Sequence, residues 1–115
     1  MKLVVREFLT TTGRCPFREW LESLDVIARA RIQALVLLFE TGNLGDSKPV
    51  GGGVSEARFM FGSGYRIYYG TSGRTLVLLS GGDKHSQVRD IREARRFWTE
   101  YLGAMRDGEA KQGLE

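Results

Sequence analysis

Five side chains between residues 58 and 90 are our first candidates for binding a phosphate or moving a proton. They are Arg58, Arg66, Lys84, His85 and Arg89. Arginine and lysine attract polyanions, whereas histidine titrates naturally near neutral pH. Residues 58–102 carry eight basic and four acidic side chains, while residues 1–57 carry seven of each. This localised positive charge predicts a polyanion ligand, above all a nucleic acid, or an acidic protein partner; the alternative is a solvated charged face.

The composition gives no sign of a cofactor. The chain has one histidine and one cysteine, Cys15, so an intrachain disulfide is excluded and a transition-metal site built from protein ligands alone is disfavoured. The glycine triplet at residues 51–53 has the flexibility to cradle a phosphate. It lacks the lysine and the strand-before, helix-after setting of a nucleotide-binding loop. We therefore predict no metal and no cofactor, and we interpret residues 47–53 as a flexible connecting loop.

The apolar spacing predicts the elements that position the basic side chains. Strands are expected at residues 3–8, 56–61, 65–69 and 75–79, and helices at residues 16–24, 26–40 and 86–102. Pro16 suits a helix start because its missing N–H would have no helical partner, and Asp25 is expected to cap the second helix. In the strand at 56–61, charged Glu56 and Arg58 alternate with apolar residues, which is typical of a half-buried strand.

These elements give the order β-α-α-β-β-β-α and an α+β fold. We expect a small, mostly antiparallel sheet packed against a helical hairpin, with a basic C-terminal helix. Residues 1–102 form one domain in this prediction, because a chain of 115 residues has room for one core. Residues 103–115 are polar and interrupted by glycine, and we predict that they form a disordered tail.

The N-terminal region lacks the long apolar core of a signal peptide, since Arg6 and Glu7 interrupt its apolar run. No stretch approaches the roughly 20 apolar residues that span a bilayer. The sequence therefore predicts a soluble cytoplasmic protein that does not associate with a membrane.

The phrases ETGNLGDSKPVGGGVSEARFMFGSGYRIYY and LVLLSGGDKHSQVRDIREAR, in this order of elements, resemble the RelE/ParE toxin superfamily. More narrowly, they are similar to its HigB-like branch of phage-derived addiction module killer proteins. The resemblance covers residues 4–101. It implies a RelE-like fold and a small basic toxin of a type II toxin–antitoxin system. The implied partner is a helix-turn-helix antitoxin that neutralises the toxin in a hetero-oligomer.

RelE-like toxins cleave mRNA on the ribosome without a metal, through attack of the ribose 2′-OH on the adjacent phosphate. That reaction needs a base, cations that stabilise the charge growing on phosphorus, and an acid for the leaving oxygen. The resemblance implies that Arg66 stabilises the phosphate in the transition state and that Lys84 binds phosphate or acts as the base. His85 is the other candidate for proton transfer, although an isolated histidine on a turn is more often simply solvated.

The other site residues follow from the same resemblance. Arg58, Arg89 and Tyr65 are expected to bind RNA, with Tyr65 stacking on a base. Asp83, Gln87 and Asp90 match the family pattern and are expected to support the site, Asp83 by closing the turn and Asp90 by pairing with Arg66 or Lys84. Two other functions stay open at this point: a DNA gyrase inhibitor of the ParE type, and an inactive module that only binds an antitoxin.

Overall fold

The computed structural model describes the backbone of residues 1–113 and the side chains of residues 1–108, and it has an α+β architecture. Its elements in chain order are β1 (Val4–Glu7), α1 (Pro16–Ser23), α2 (Val26–Phe39), β2 (Asp46–Gly51), β3 (Val54–Arg58), β4 (Arg66–Ser72), β5 (Thr75–Gly82) and α3 (Gln87–Gly113). Among these residues, none of the helices is both long enough and apolar enough to cross a membrane.

The sheet has five strands in the order β1-β5-β4-β3-β2. Strand β1 runs parallel to β5, and the other neighbours are antiparallel. The sheet is larger than the sequence predicted, because residues 46–51 form an edge strand where a loop was expected. This strand was not predicted because Pro49 and the adjacent glycines are typical of loops. Proline is tolerated in an edge strand because fewer of its backbone N–H groups must donate hydrogen bonds to a neighbouring strand. Gly51, Gly52 and Gly53 all have positive φ and form the turn into β3.

The helices cover both faces of the sheet. Phe17 of α1 and Ile32 and Phe39 of α2 pack on one face against Ile67 and Tyr69 of β4. On the other face, Ala94, Phe97 and Trp98 of α3 pack against Val54, Tyr68 and Val77. Side chains alternate along a strand, so β4 contributes to both cores. The fold is therefore a three-layer arrangement, with the helical hairpin and α3 on opposite sides.

The predicted helix starts are confirmed. Pro16 is the first residue of α1, and the Asp25 carboxylate accepts a hydrogen bond of 2.9 Å from the backbone N–H of Ala28. The C-terminal helix, however, continues to Gly113 instead of ending near Leu102. Most residues after Gly103 are strong helix formers, so the glycines weaken this segment without ending the helix. Of the predicted tail, Leu114 and Glu115 lie outside the described residues.

Candidate functional site

The strand register places the predicted site at one end of the sheet. Arg58 of β3 lies opposite Arg66 of β4, and Arg66 lies opposite Gly82 of β5. The chain then passes through residues 83–86 into α3, so the start of that helix lies beside the three strand ends. The predicted order of these strands and of the helix after them is present in the structure.

Arg66 is held in a defined position. Its Nη1 donates a hydrogen bond of 2.8 Å to the carbonyl oxygen of Gly64, and its Nε lies 3.5 Å from Oε2 of Glu56. Only 13% of the Arg66 side chain is exposed. The guanidinium is thus oriented by one hydrogen bond to a backbone carbonyl and by the charge of a nearby carboxylate, with which its Nε makes no hydrogen bond, while part of it remains accessible.

Glu56 belongs to this site, but the sequence reasoning placed its side chain wrongly. The strand pattern predicted an exposed side chain, but Glu56 is 0% exposed because α3 covers this face of β3. Its Oε2 accepts hydrogen bonds from the Tyr68 hydroxyl at 3.1 Å and from Nε2 of Gln87 at 2.8 Å. Burial and then the Glu56 charge raise the pKa of Tyr68, so this hydroxyl remains a donor. The carboxylate therefore anchors Arg66 and joins β3, β4 and α3.

Lys84 lies next to Arg66 across Gly64. A Cβ atom at Gly64 would lie 3.4 Å from Nη1 of Arg66 and 3.7 Å from Cβ of Lys84, and Gly64 has a φ of 77°. A side chain here would meet both cationic residues in a backbone conformation that favours glycine. Lys84 is exposed. Arg66 and Lys84 together form what we call the cationic pair.

Asp83 closes the turn before α3, as predicted. Its Oδ1 accepts hydrogen bonds from the backbone N–H groups of His85 (2.8 Å) and Ser86 (3.2 Å). Partial burial opposes ionisation of Asp83, but these hydrogen bonds prevail and lower its pKa below the usual value. Ser63 Oγ lies 3.4 Å from Oδ2, so Asp83 also links this turn to the loop before β4.

Asp90 does not pair with Arg66 or Lys84, contrary to prediction. Its Oδ2 accepts a hydrogen bond from Ser86 Oγ at 2.5 Å, and its Oδ1 lies 3.5 Å from Nη2 of Arg89. The side chain is buried over Gly82, where an added Cβ would lie 1.9 Å from Oδ2. Burial raises the pKa of Asp90. Asp90 therefore stabilises the start of α3 rather than the cationic pair.

His85 and Arg89 are exposed on the outer side of the α3 start. With Arg92 they border an open depression of about 610 Å³. This depression is not lined by Arg66 or Lys84. The structure thus divides the predicted residues between the cationic pair and a neighbouring basic surface.

Arg58 and Tyr65 are directed away from the cationic pair. Nη2 of Arg58 lies 3.2 Å from Oδ2 of Asp46 on β2, so its charge is partly offset by a strand that the sequence did not predict. Tyr65 packs with Trp20 and Phe61, at ring-centroid distances of 6.2 and 5.5 Å, on the side of the helical hairpin. The predicted stacking of a base on Tyr65 next to Arg66 is therefore not supported by this geometry.

The site has the chemistry to bind and polarise an anion. Arg66 supplies an oriented donor, Lys84 a mobile positive charge, and Gln87 supports the anchor. No group of three histidine, cysteine, aspartate or glutamate side chains within the described part of the chain is arranged to hold a metal ion.

Comparison with known proteins identifies a relative but no described family. No protein-family model matches the chain. The chain is similar to an uncharacterized protein of Haemophilus influenzae, with 41% identity over 81 residues that cover 69% of this chain and 82% of the relative. This chain belongs to the same protein family as the Haemophilus influenzae protein.

Proposed function

We propose that this protein is the toxin of a type II toxin–antitoxin system and acts as a metal-independent, ribosome-associated mRNA endonuclease. The observation that carries the proposal is the cationic pair, with Arg66 fixed by Gly64 and Glu56 and with Lys84 exposed beside it. The motif resemblance supports the same conclusion. On this view the fold is RelE-like with β2 as an added edge strand, and the protein acts in the cytoplasm.

The reaction assigned to the site is transfer of an RNA phosphate. The ribose 2′-oxygen forms a bond to phosphorus while the bond from phosphorus to the 5′-oxygen breaks, giving a 2′,3′-cyclic phosphate and a free 5′-hydroxyl. Arg66 stabilises the negative charge that grows on the phosphate oxygens, because its guanidinium is already oriented before the substrate binds. A base accepts the proton of the 2′-hydroxyl, for which Lys84 in its neutral form and neutral His85 are the two candidates, and an acid returns a proton to the 5′-oxygen.

The partners in this proposal are the ribosome with its mRNA and a helix-turn-helix antitoxin that forms a hetero-oligomer with the toxin. The excess of basic side chains in residues 58–102 favours polyanionic or acidic partners.

A second function is favoured by one feature of the charges. Arg66 faces Glu56 and Arg58 faces Asp46, so two of the expected phosphate-binding cations are partly neutralised. A DNA gyrase inhibitor of the ParE type, which acts by binding, has no need of unpaired catalytic cations.

The two functions are separated by controlled expression in a bacterium, with primer extension on abundant messages and a DNA supercoiling assay. Arg66→Ala and Lys84→Ala should each abolish growth arrest and mRNA cuts, since loss of one transition-state donor costs about 10²–10³ in rate. Arg74→Ala, which removes an exposed arginine from the distant β4–β5 turn, should leave both unchanged. Growth arrest with intact messages and blocked supercoiling would establish the gyrase inhibitor instead.

A further inference from the structure

Helix α2 is apolar on both sides, although the sheet covers only one. Ala28, Ile32 and Phe39 are buried in the core. On the other side, Val26, Ile27, Leu37 and Leu38 are 73%, 73%, 63% and 44% exposed, and Ala30 and Ala34 are exposed between them. A contiguous row of exposed apolar side chains on a helix is normally covered by a partner. The outer side of α2, which we call the α2 stripe, therefore has the character of an interface.

The α2 stripe is symmetric about Ile32. Its members form three pairs, and the two members of each pair lie the same number of residues before and after Ile32. The pairs are Val26 with Leu38, Ile27 with Leu37, and Ala30 with Ala34. Residues 27, 30, 34 and 37 have the 3-4-3 spacing of a coiled-coil seam. In an antiparallel pair of such helices around a two-fold axis, each large residue meets its large counterpart, and the two alanines allow close approach.

We propose that the α2 stripe is the interface of a homodimer, in which α2 of one copy packs antiparallel against α2 of a second copy. In this arrangement Ile27 contacts Leu37 of the other copy, and Ala30 contacts its Ala34. The contact is isologous, so both copies bury the same surface.

The charges of α2 are compatible with this dimer. The helix has two arginines, Arg29 and Arg31, and no acidic residue. Two-fold symmetry brings the two copies of Arg31 to the same flank, within about 3 Å of each other along the helix axis. The guanidinium of Arg31 lies 5.0 Å from the centre of the Phe61 ring, which draws it away from the stripe. Repulsion between such exposed charges is weak and is screened by salt.

Two other occupants fit less well. An acidic partner helix would complement Arg31, but it offers no reason for the internal symmetry of the stripe. A membrane surface is disfavoured because the stripe has no aromatic residue, whereas interfacial helices commonly use them. The proposal does not depend on the proposed enzymatic function, since α2 and Arg66 lie on opposite faces of the sheet.

The first test is sedimentation equilibrium of the full chain from about 10 to 500 μM, because a single helix pair is a small interface and implies a weak dimer. The wild type should dimerise in this range, and added salt should strengthen the dimer. Ile27→Asp should weaken it at least tenfold. Val88→Asp is the matched control, since Val88 is 74% exposed and is also the second residue of its helix. An aspartate in the first helical turn is favourable in both variants, so neither should lose its fold.

The second test addresses the register. Ile27→Asp and Leu37→Lys should each be monomeric alone, but their one-to-one mixture should form heterodimers, because one contact becomes Asp–Lys and the other remains Leu–Ile. A wild type that stays monomeric at 500 μM would overturn the proposal, as would a dimer insensitive to Ile27→Asp. A mixture that does not dimerise would overturn the antiparallel register. Binding of a monomeric wild type to anionic phospholipid vesicles, lost in Ile27→Asp, would assign the stripe to a membrane instead.

Discussion

Glu56→Gln tests whether the buried carboxylate anchors the cationic site. The substitution keeps the size of the side chain and removes its charge. Glu56 is fully buried and accepts hydrogen bonds from Tyr68 and Gln87, with Arg66 at 3.5 Å. After the change, Arg66 faces a neutral amide and has lost its counter-charge. We therefore expect the free energy of unfolding to fall substantially, although only a carboxylate is replaced by an amide.

The size of the loss follows from the contacts. Hydrogen bonds to a charged group contribute about 1.5–3 kcal/mol and neutral ones about 0.5–1.5 kcal/mol, so the two bonds together lose about 2 kcal/mol. Removing one member of a buried ion pair costs about 3–5 kcal/mol. Arg66 keeps its bond to Gly64 and 13% of its side chain is exposed, which places the change at the lower end of that range. We therefore expect the free energy of unfolding to fall by about 3 kcal/mol, which lowers Tm by roughly 12 °C in a domain of this size.

The assay is urea unfolding followed by circular dichroism, with Glu100→Gln as the control because Glu100 is exposed on α3. A double-mutant cycle with Arg66→Gln isolates the ion pair, and its coupling energy should exceed about 1 kcal/mol. A loss below about 1 kcal/mol for Glu56→Gln, together with additive effects in the cycle, would refute the anchoring role.

Three further predictions concern Asp90 near the site, Gly70 under α3 and Gly103 on α3. Asp90 has a raised pKa, so its folded form binds a proton at higher pH than the unfolded chain does. The contribution of Asp90 to the free energy of unfolding therefore rises as pH falls through the raised pKa and falls as pH rises. Asp90→Asn, which resembles the protonated form, should be more stable than wild type at pH 7 by less than about 1 kcal/mol, and thermal unfolding should show that this difference vanishes near pH 3. Gly70→Ala should destabilise by about 1–3 kcal/mol in urea unfolding, because the new Cβ would lie 2.5 Å from Cε3 of Trp98. Gly103→Ala should stabilise α3 by about 0.5–1 kcal/mol, because a Cβ atom added at Gly103 would have no atom within 4 Å. A stabilising Gly70→Ala together with a destabilising Gly103→Ala would contradict the packing described here.

Hydrophobic patterning was sufficient to predict seven of the eight elements, because each of them has either an apolar face with a regular period or, as in β5, a continuous apolar run buried on both faces. Strand β2 escaped because Pro49 and three glycines are signals of a loop, and only pairing with β3 makes that segment a strand. Local propensity carries no information about such pairing. The contact between Arg58 and Asp46 was not predicted for the same reason, because it joins β3 to the unpredicted strand β2.

Residue types and the family resemblance directed attention to the strand ends and the start of α3, but they did not give the contacts that the side chains make there. Glu56 was taken as exposed because alternation shows which residues share a face, not whether a distant helix covers that face. The pairing of β3 with β4 places Glu56 opposite Tyr68, on the face of the sheet that also carries Arg66. The position of Glu56 would have followed from a prediction of this register. The predicted partner of Asp90 was also wrong. Asp90 contacts Ser86, which precedes it by one helical turn at the start of α3, and not a cation from a neighbouring strand.

Strand β2 lies at one border of the sheet and has features that hinder its pairing with strands of other chains. An outer strand exposes unpaired backbone groups, which are a template for strands of other chains. In β2, Lys48 adds a charge, Pro49 removes a donor, and the register shifts between Pro49 and Gly51, which interrupts a regular edge. At the opposite border, β1 is only four residues long. Growth of the sheet by pairing with another chain is therefore disfavoured at both borders.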